Sequence, residues 1–271
     1  MNILRLEDKL NIISKPINAP VYDFDFELFF NCKHPICFAD NESCVLRIGA
    51  IQNYQKEYEE KLSMSLRPIN SPEEHALSSE LSKWYPLISE FTPRSIWADE
   101  FPSVDEIQDK FGWPVFIKGS RQTSKHNPAL AIAFDETQYQ NIKRNYHHDP
   151  ILRWQQIAIR EFVELQPVSG AVPGKVKPSL EFRSFWWNGD CVGWGQYWYQ
   201  LPSYRASDIE SGLEIARVVA QRIQVPFLVI DIAKTQSGDW LVIECNDAQE
   251  SGYAGIIPQL LWQRILQRVS A

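Results

Sequence analysis

An α+β fold is what this chain of 271 residues predicts, on three observations. Strand-like and helix-like segments alternate from Thr92 onward, two antiparallel hairpins are marked by Asn188-Gly189 and Ser237-Gly238, and a turn-rich stretch at 67–75 sets residues 1–80 apart. The second half of the chain reads as mainly antiparallel, because hairpins join neighbours directly.

Taken in order, the N-terminal lobe (1–80, small and α/β) carries short apolar runs at 21–30 and 44–48 and a charged helical segment at 52–62. Ser71 followed by Pro72 has the form of a helix start with proline at the first helical position, and it sets the boundary with a second domain over 81–271. That domain divides into a lobe at about 92–165 and another at about 166–271. The first should hold a helix at 103–110, a strand at 115–118, a polar loop, a strand at 129–134, a helix opening at Asp135 and a β-rich strand at 156–165. A Pro/Gly-rich loop then leads to the Asn188-Gly189 hairpin, a helix at 206–223, the strands 227–233 and 240–245, and a closing helix at 257–269.

Composition narrows the function classes. With 44% hydrophobic and 23% charged residues the chain can bury a core without disulfides or metal staples. A formal net charge of −7 argues against broad binding to nucleic acid or an anionic membrane, both of which need a basic surface. No stretch approaches the roughly 20 apolar residues that span a bilayer, and the first residues lack a basic segment followed by an apolar one, so a cytoplasmic location is expected. Five scattered cysteines fit reduced thiols. Cys32, His34, Cys37 and Cys44 lack the paired spacing of a zinc knuckle and are read as part of the lobe's packing. Trp186, Trp187, Trp194, Trp198, Tyr197 and Tyr199 crowd the first hairpin, and core packing is the expected use of most of them.

The second hairpin is the most informative. A two-residue loop at Ser237-Gly238 sets Gln236 opposite Asp239 and therefore Asp231 opposite Glu244, with Asn246 on the same face. Like charges facing each other in an apolar sheet are destabilising, and a cation is the natural remedy. The oxygen donors suit Mg2+, or Mn2+, sharing its coordination with nucleotide phosphates. A longer loop would instead slip the register and turn the acids to solvent.

These strands resemble the paired metal-binding strands of the ATP-grasp superfamily, and other segments agree in order. Lys118, ending the 115–118 strand, is similar to the lysine that reaches the ATP phosphates; Glu161, Phe162, Val163 and Glu164 resemble the adenine-holding hinge; Glu181 and Arg183 resemble an acidic-x-Arg step. The resemblance covers roughly 92–251. It implies an ATP-grasp fold after a small N-terminal lobe, with backbone at 161–163 reading adenine, Glu164 on the ribose, Lys118 and Arg183 stabilising transferred charge, and Asp231, Glu244 and Asn246 holding Mg2+. The loop after Lys118, glycine-rich in the family, here carries Arg121 and Lys125 as further phosphate-gripping cations. Lys83 is the match for a second nucleotide lysine. The stretch after Asn246 lacks the family's usual proline-containing turn and most resembles a small clade of predicted amide ligases from bacteria and phages.

The implied activity is an ATP-dependent carboxylate–amine ligase working through an acyl phosphate, with ATP and an unidentified carboxylate and amine as partners. The rivals are a small-molecule kinase on the same fold and a non-catalytic nucleotide sensor or binding protein. For Arg183 there is also a structural reading: the Asn188-Gly189 register sets Trp194 opposite it, as a stacking partner.

Overall fold

A computed structural model describes residues 2–121 and 127–269. It contains three sheets. The N-terminal sheet is formed by β1 (Asn2–Leu6), β2 (Leu10–Ser14), β3 (Cys32–Lys33), β4 (Glu42–Arg47) and, beyond helix α1 (Tyr54–Leu62), β5 (Leu66–Pro68), in the order β3-β1-β2-β4-β5. The 21–30 run is not a strand; it forms turns and a single 3-10 turn at Phe26–Leu28. Its phenylalanines cluster against Tyr253 and Trp262 instead.

Helices α2 (Pro72–Ser79) and α3 (Leu81–Ile88) follow. Ser71 caps α2 with a full capping box, since its hydroxyl accepts from Glu74 N–H and the Glu74 carboxylate accepts from Ser71 N–H. Next come β6 (Ser95–Ala98), α4 (Val104–Lys110), β7 (Val115–Gly119), β8 (Ile132–Ala133), α5 (Glu136–Tyr146) and β9 (Ile157–Glu161). The four strands make an antiparallel sheet ordered β6-β9-β7-β8, with α4 and α5 packed on one apolar cluster around Ile107, Ile117, Tyr139 and Ile159. The expected strand at 129–134 shortens to β8 because Pro128 opens a 3-10 turn.

The third sheet, ordered β11-β10-β12-β13, consists of β10 (Glu181–Trp187), β11 (Asp190–Gln196), β12 (Phe227–Lys234) and β13 (Trp240–Asp247), with α6 (Ile209–Ile223) between the hairpins and α7 (Pro258–Leu266) after them. It is buried on both faces, which is why its strands read as continuous apolar runs. One face (Phe182, Trp186, Leu228, Ile230, Ile232, Val242) packs on α6 and α3. The other (Phe185, Trp187, Phe227, Val229) packs on α7 and the N-terminal strands. Trp186, Trp187 and Trp198 are core, whereas Trp194 and Tyr199 are exposed.

Gly212 lets α6 sit directly on this sheet: a Cβ there would lie 2.7 Å from the Trp240 ring and 2.8 Å from Ile232 Cδ1. Gly212→Val is therefore expected to cost about 1–3 kcal/mol through overpacking. Urea denaturation would check it, and an unchanged midpoint would contradict this close packing.

Candidate active site

Three neighbouring strands set the charged residues in one row. Arg183 on β10 pairs across the ladder with Asp231 on β12, and Asp231 pairs with Glu244 on β13, so all three side chains leave the same face. The row lies between the apolar end of that face, at Phe185 and Val229, and a cavity of about 330 Å³ whose wall includes Glu181 and Glu244.

The Asp231–Glu244 pairing arises differently from the expected route. Thr235 N–H donates to the Asp239 carbonyl (2.8 Å) and Gly238 N–H to the Thr235 carbonyl (3.0 Å), closing a three-residue loop at 236–238 in which Gly238 takes φ +98°. Near the turn the register is accordingly one residue off, with Lys234 opposite Trp240 and Ile232 opposite Val242. A β-bulge at Ile243 restores the offset and brings Asp231 opposite Glu244. The bulge carbonyl is held by Arg160 of β9, whose Nη1 donates to Ile243 O at 2.6 Å, while Nε and Nη2 reach Ser95 Oγ (3.0 Å) and Thr92 Oγ1 (2.5 Å). Burial pulls the Arg160 guanidinium down to about 10, against the opposing pull of Glu244.

Both carboxylates already face a cation of the protein. Arg183 holds Asp231 bidentately, Nε to Oδ1 and Nη2 to Oδ2, each at 2.8 Å, and the buried Lys118 ammonium donates to Glu244 Oε1. Burial would lower the Arg183 pKa, but the Asp231 charge outweighs it and holds the guanidinium above its ordinary range. The like-charge pair is thus balanced by basic side chains from two different sheets.

Trp194 does not stack on Arg183. A bulge at Phe185/Trp186 shifts the first hairpin, so Trp194 faces Ser184 and Gly195 faces Arg183. The guanidinium lies 5.2 Å from the Tyr197 ring centroid. Gly195 has a further use: a Cβ there would come within 2.7 Å of the Gly255 backbone, so its absence lets the 252–255 turn close onto the sheet, where Gly252 O accepts from Arg183 Nη1 at 2.9 Å.

The cavity has apolar walls from Phe116, Ile132, Phe134, Leu165 and Ile243. Ladder pairing ends at Glu161, and Phe162, Val163 and Glu164 line the cavity beyond it. The Glu161 carboxylate is taken by Arg94 (2.9 and 3.3 Å), which leaves Glu164 as the exposed acid at the rim. Glu181 is buried and accepts from Ser179 Oγ (2.5 Å) and Trp198 Nε1 (3.0 Å). The 168–179 loop, in which no motif is legible, supplies Val176, Lys177, Pro178 and Ser179 to the same cavity.

Other predicted residues lie elsewhere. Lys83 is half-exposed on α3, 3.9 Å from Glu80, and is not part of the cavity wall. Arg121 turns toward the segment before α1, donating to the Ile51 carbonyl with the rings of Tyr54 and Trp154 at 4.3 and 5.1 Å. Lys125 lies outside the described residues. Asn246 is half-buried opposite Val229, one step along the face from Glu244.

The turn after β13 is fixed by residues that sequence reasoning missed. Buried Arg47 donates to the carbonyls of Ala248 (3.0 Å), Gln249 (3.0 Å) and Ser251 (2.8 Å), and His75 bridges Asp247 (3.3 Å) and Glu250 (2.5 Å). Burial lowers the His75 pKa, but Asp247 and Glu250 together raise it above the ordinary value. Stability from this bridge is therefore fully present below about pH 6.5 and is lost as pH rises through the higher folded value. The thermal midpoint is expected to fall from slightly acidic to alkaline pH, and His75→Gln to flatten that slope; an equal slope in the variant would exclude His75 as its source.

Comparison with known proteins bears on the whole assembly. A family model for an ATP-grasp domain, the third family of its clade, matches residues 105–265, more than half of the chain. The chain belongs to this ATP-grasp family. The match spans Lys118, the 161–164 strand end, Arg183 and the carboxylate strands, and leaves Lys83 outside. Among solved structures, the chain is similar to a RimK domain ATP-grasp protein from Sphaerobacter thermophilus, with 12% identity, TM-score 0.55, and coverage of 84% of this chain and 80% of that one. D-alanine–D-alanine ligase from Bacillus anthracis, solved with ATP, gives 10%, 0.59, 83% and 77%. VanG D-Ala:D-Ser ligase from Enterococcus faecalis gives 13%, 0.59, 84% and 71%. At these identities the likeness is one of fold. No curated protein matches the chain at a significant level. Among the described residues no helix is long and apolar enough to cross a membrane.

Asp231, Glu244 and Asn246 offer a hard, oxygen-only donor set of the kind Mg2+ or Mn2+ accepts while keeping waters and phosphate oxygens. The Arg183 and Lys118 cations on the two acids mark a spot where the fold already holds positive charge. Among the described residues no group of three or more His, Cys, Asp or Glu could hold a metal ion.

Proposed function

We propose that this protein is an ATP-dependent ligase that joins a carboxylate to an amine through an acyl phosphate. The observation that carries the reading is the row Arg183–Asp231–Glu244–Lys118, beside an apolar cavity walled by the end of β9. Adenine would lie between the apolar walls against the peptide groups of Phe162 and Val163, with Glu164 at the ribose. Asp231, Glu244 and Asn246 would hold Mg2+ or Mn2+, which when bound neutralises the phosphates. Lys118 and Arg183 would stabilise charge as a substrate carboxylate attacks the γ-phosphorus and ADP leaves. The amine then attacks the acyl carbon and expels phosphate, forming the amide. ATP-grasp family membership supports nucleotide-dependent chemistry, and the ligase names of the structural relatives favour amide formation over a kinase.

The direct test is ADP release from the purified protein with pools of amino acids and small carboxylates, run with hydroxylamine as the amine. A hydroxamate accompanied by free phosphate is the expected result. A stable phosphorylated product would make the protein a kinase, and stoichiometric ATP binding with no turnover would favour a sensor.

A further inference from the structure

We infer that Lys177 is a nucleotide-binding residue, with its ammonium on the phosphate that follows the ribose. The inference rests on the reading of the cavity as the nucleotide site.

The course of the 168–179 loop carries it. The foot of the loop is closed, because Pro167 bridges Ser179 in antiparallel fashion and Leu180 N–H donates to the Gln166 carbonyl at 2.7 Å. Its outer stretch, Lys175 to Lys177, walls a separate groove together with Ile132, Phe134 and Asn141. Its inner stretch, Val176 to Ser179, walls the cavity itself and leads to Glu181, two residues before Arg183 on β10. Val176 therefore belongs to the apolar end of the cavity, which it shares with Ile132 and Phe134, and Glu181 to the end at the charged row. Lys177 lies between the two.

A base held at the apolar end, with the reacting phosphate at the row, leaves the ribose and the first phosphate in the space between. That phosphate is the anionic group within reach of Lys177. The other cations of the described cavity wall are committed elsewhere: Lys118 donates to Glu244 at the row, and Arg160 to the Ile243 carbonyl and the hydroxyls of Ser95 and Thr92. The local chain suits Lys177 to this role. A residue that precedes proline is kept out of the helical region, so Pro178 limits the backbone at Lys177 to extended conformations and leaves mainly the side chain to adjust. Pro178 and Ser179 are buried, whereas Lys177 is exposed. An ammonium that stays in water carries no desolvation penalty before its anion arrives, and it then forms a charge-assisted bond to phosphate. Lys175, equally exposed and two residues away, lines the outer groove and not the cavity.

That contrast supplies the test. The full chain is titrated calorimetrically with a non-hydrolysable ATP analogue and Mg2+, at low and at high salt, as wild type, Lys177→Met, Lys177→Arg and Lys175→Met. At low salt Lys177→Met should weaken binding by about three- to tenfold, Lys177→Arg should restore most of it, and Lys175→Met should stay within about twofold of wild type. High salt should narrow the gap between wild type and Lys177→Met, because screening weakens an exposed ammonium–phosphate contact. Both lysines are exposed, so thermal midpoints should match that of wild type. Equal losses in Lys175→Met and Lys177→Met would reduce the effect to the general charge of the loop and overturn the inference. A Lys177→Met loss that salt leaves unchanged would place the lysine stem against the base and overturn the phosphate contact. Wild-type binding that Lys177→Met leaves untouched would overturn the inference while the nucleotide site stands. Wild type that binds no analogue would overturn the nucleotide reading and the inference with it.

Discussion

Asp231→Asn is expected to lower ATP turnover by about 10²–10⁴-fold while the folded structure persists. The change is isosteric and keeps an oxygen that can accept from Arg183, whose second anchor at the Gly252 carbonyl is untouched. What disappears is a negative charge opposite Glu244, and with it the charge that would bind the metal and match Arg183. Steady-state ADP release and the thermal midpoint, measured on the same preparation, separate the two effects. Turnover near that of wild type would remove Asp231 from the mechanism.

Arg160→Met should be the most damaging change to the framework. The guanidinium satisfies the bulge carbonyl at Ile243 and two hydroxyls, Ser95 and Thr92, within the interface between two sheets. Losing these charge-assisted bonds is expected to cost about 2–4 kcal/mol in urea denaturation. Because the bulge sets Glu244 opposite Asp231, Mg2+-dependent nucleotide binding should weaken as well. Arg160→Lys, with fewer donors, should recover only part of both losses. Stability within about 0.5 kcal/mol of wild type would mean that the bulge holds itself.

The α+β class and most elements could be read from the sequence because they rest on local signals. Asn188-Gly189 did form a two-residue turn, and Ser71, Ser103 and Asp135 do cap their helices. Register was harder, because bulges answer to partners distant in the chain. For Asp231 and Glu244 a misjudged loop and an unforeseen bulge cancelled; for Arg183 and Trp194 the bulge stood uncompensated and the pairing was lost.

Charged side chains followed the same rule. Lys118 and Arg183 lie on strands and reached the row, whereas Arg121 lies in a loop and turned toward Ile51 and Tyr54. Arg160 had a legible sign, a charge directly after the apolar run Ile157–Ile159, but its acceptor is a carbonyl 83 residues away. Nothing local marks Val176 to Ser179 as cavity wall or Arg47 as the clamp on the turn after β13.

The central claim is that Lys118, Arg183, Asp231 and Glu244 form a metal–nucleotide site. Isothermal titration of wild type and Glu244→Ala with a non-hydrolysable ATP analogue, with and without Mg2+, addresses it most directly. Binding that Mg2+ strengthens in wild type, and that the substitution weakens, is the predicted result. No binding under any condition would contradict the claim and reduce the charged row to a structural network.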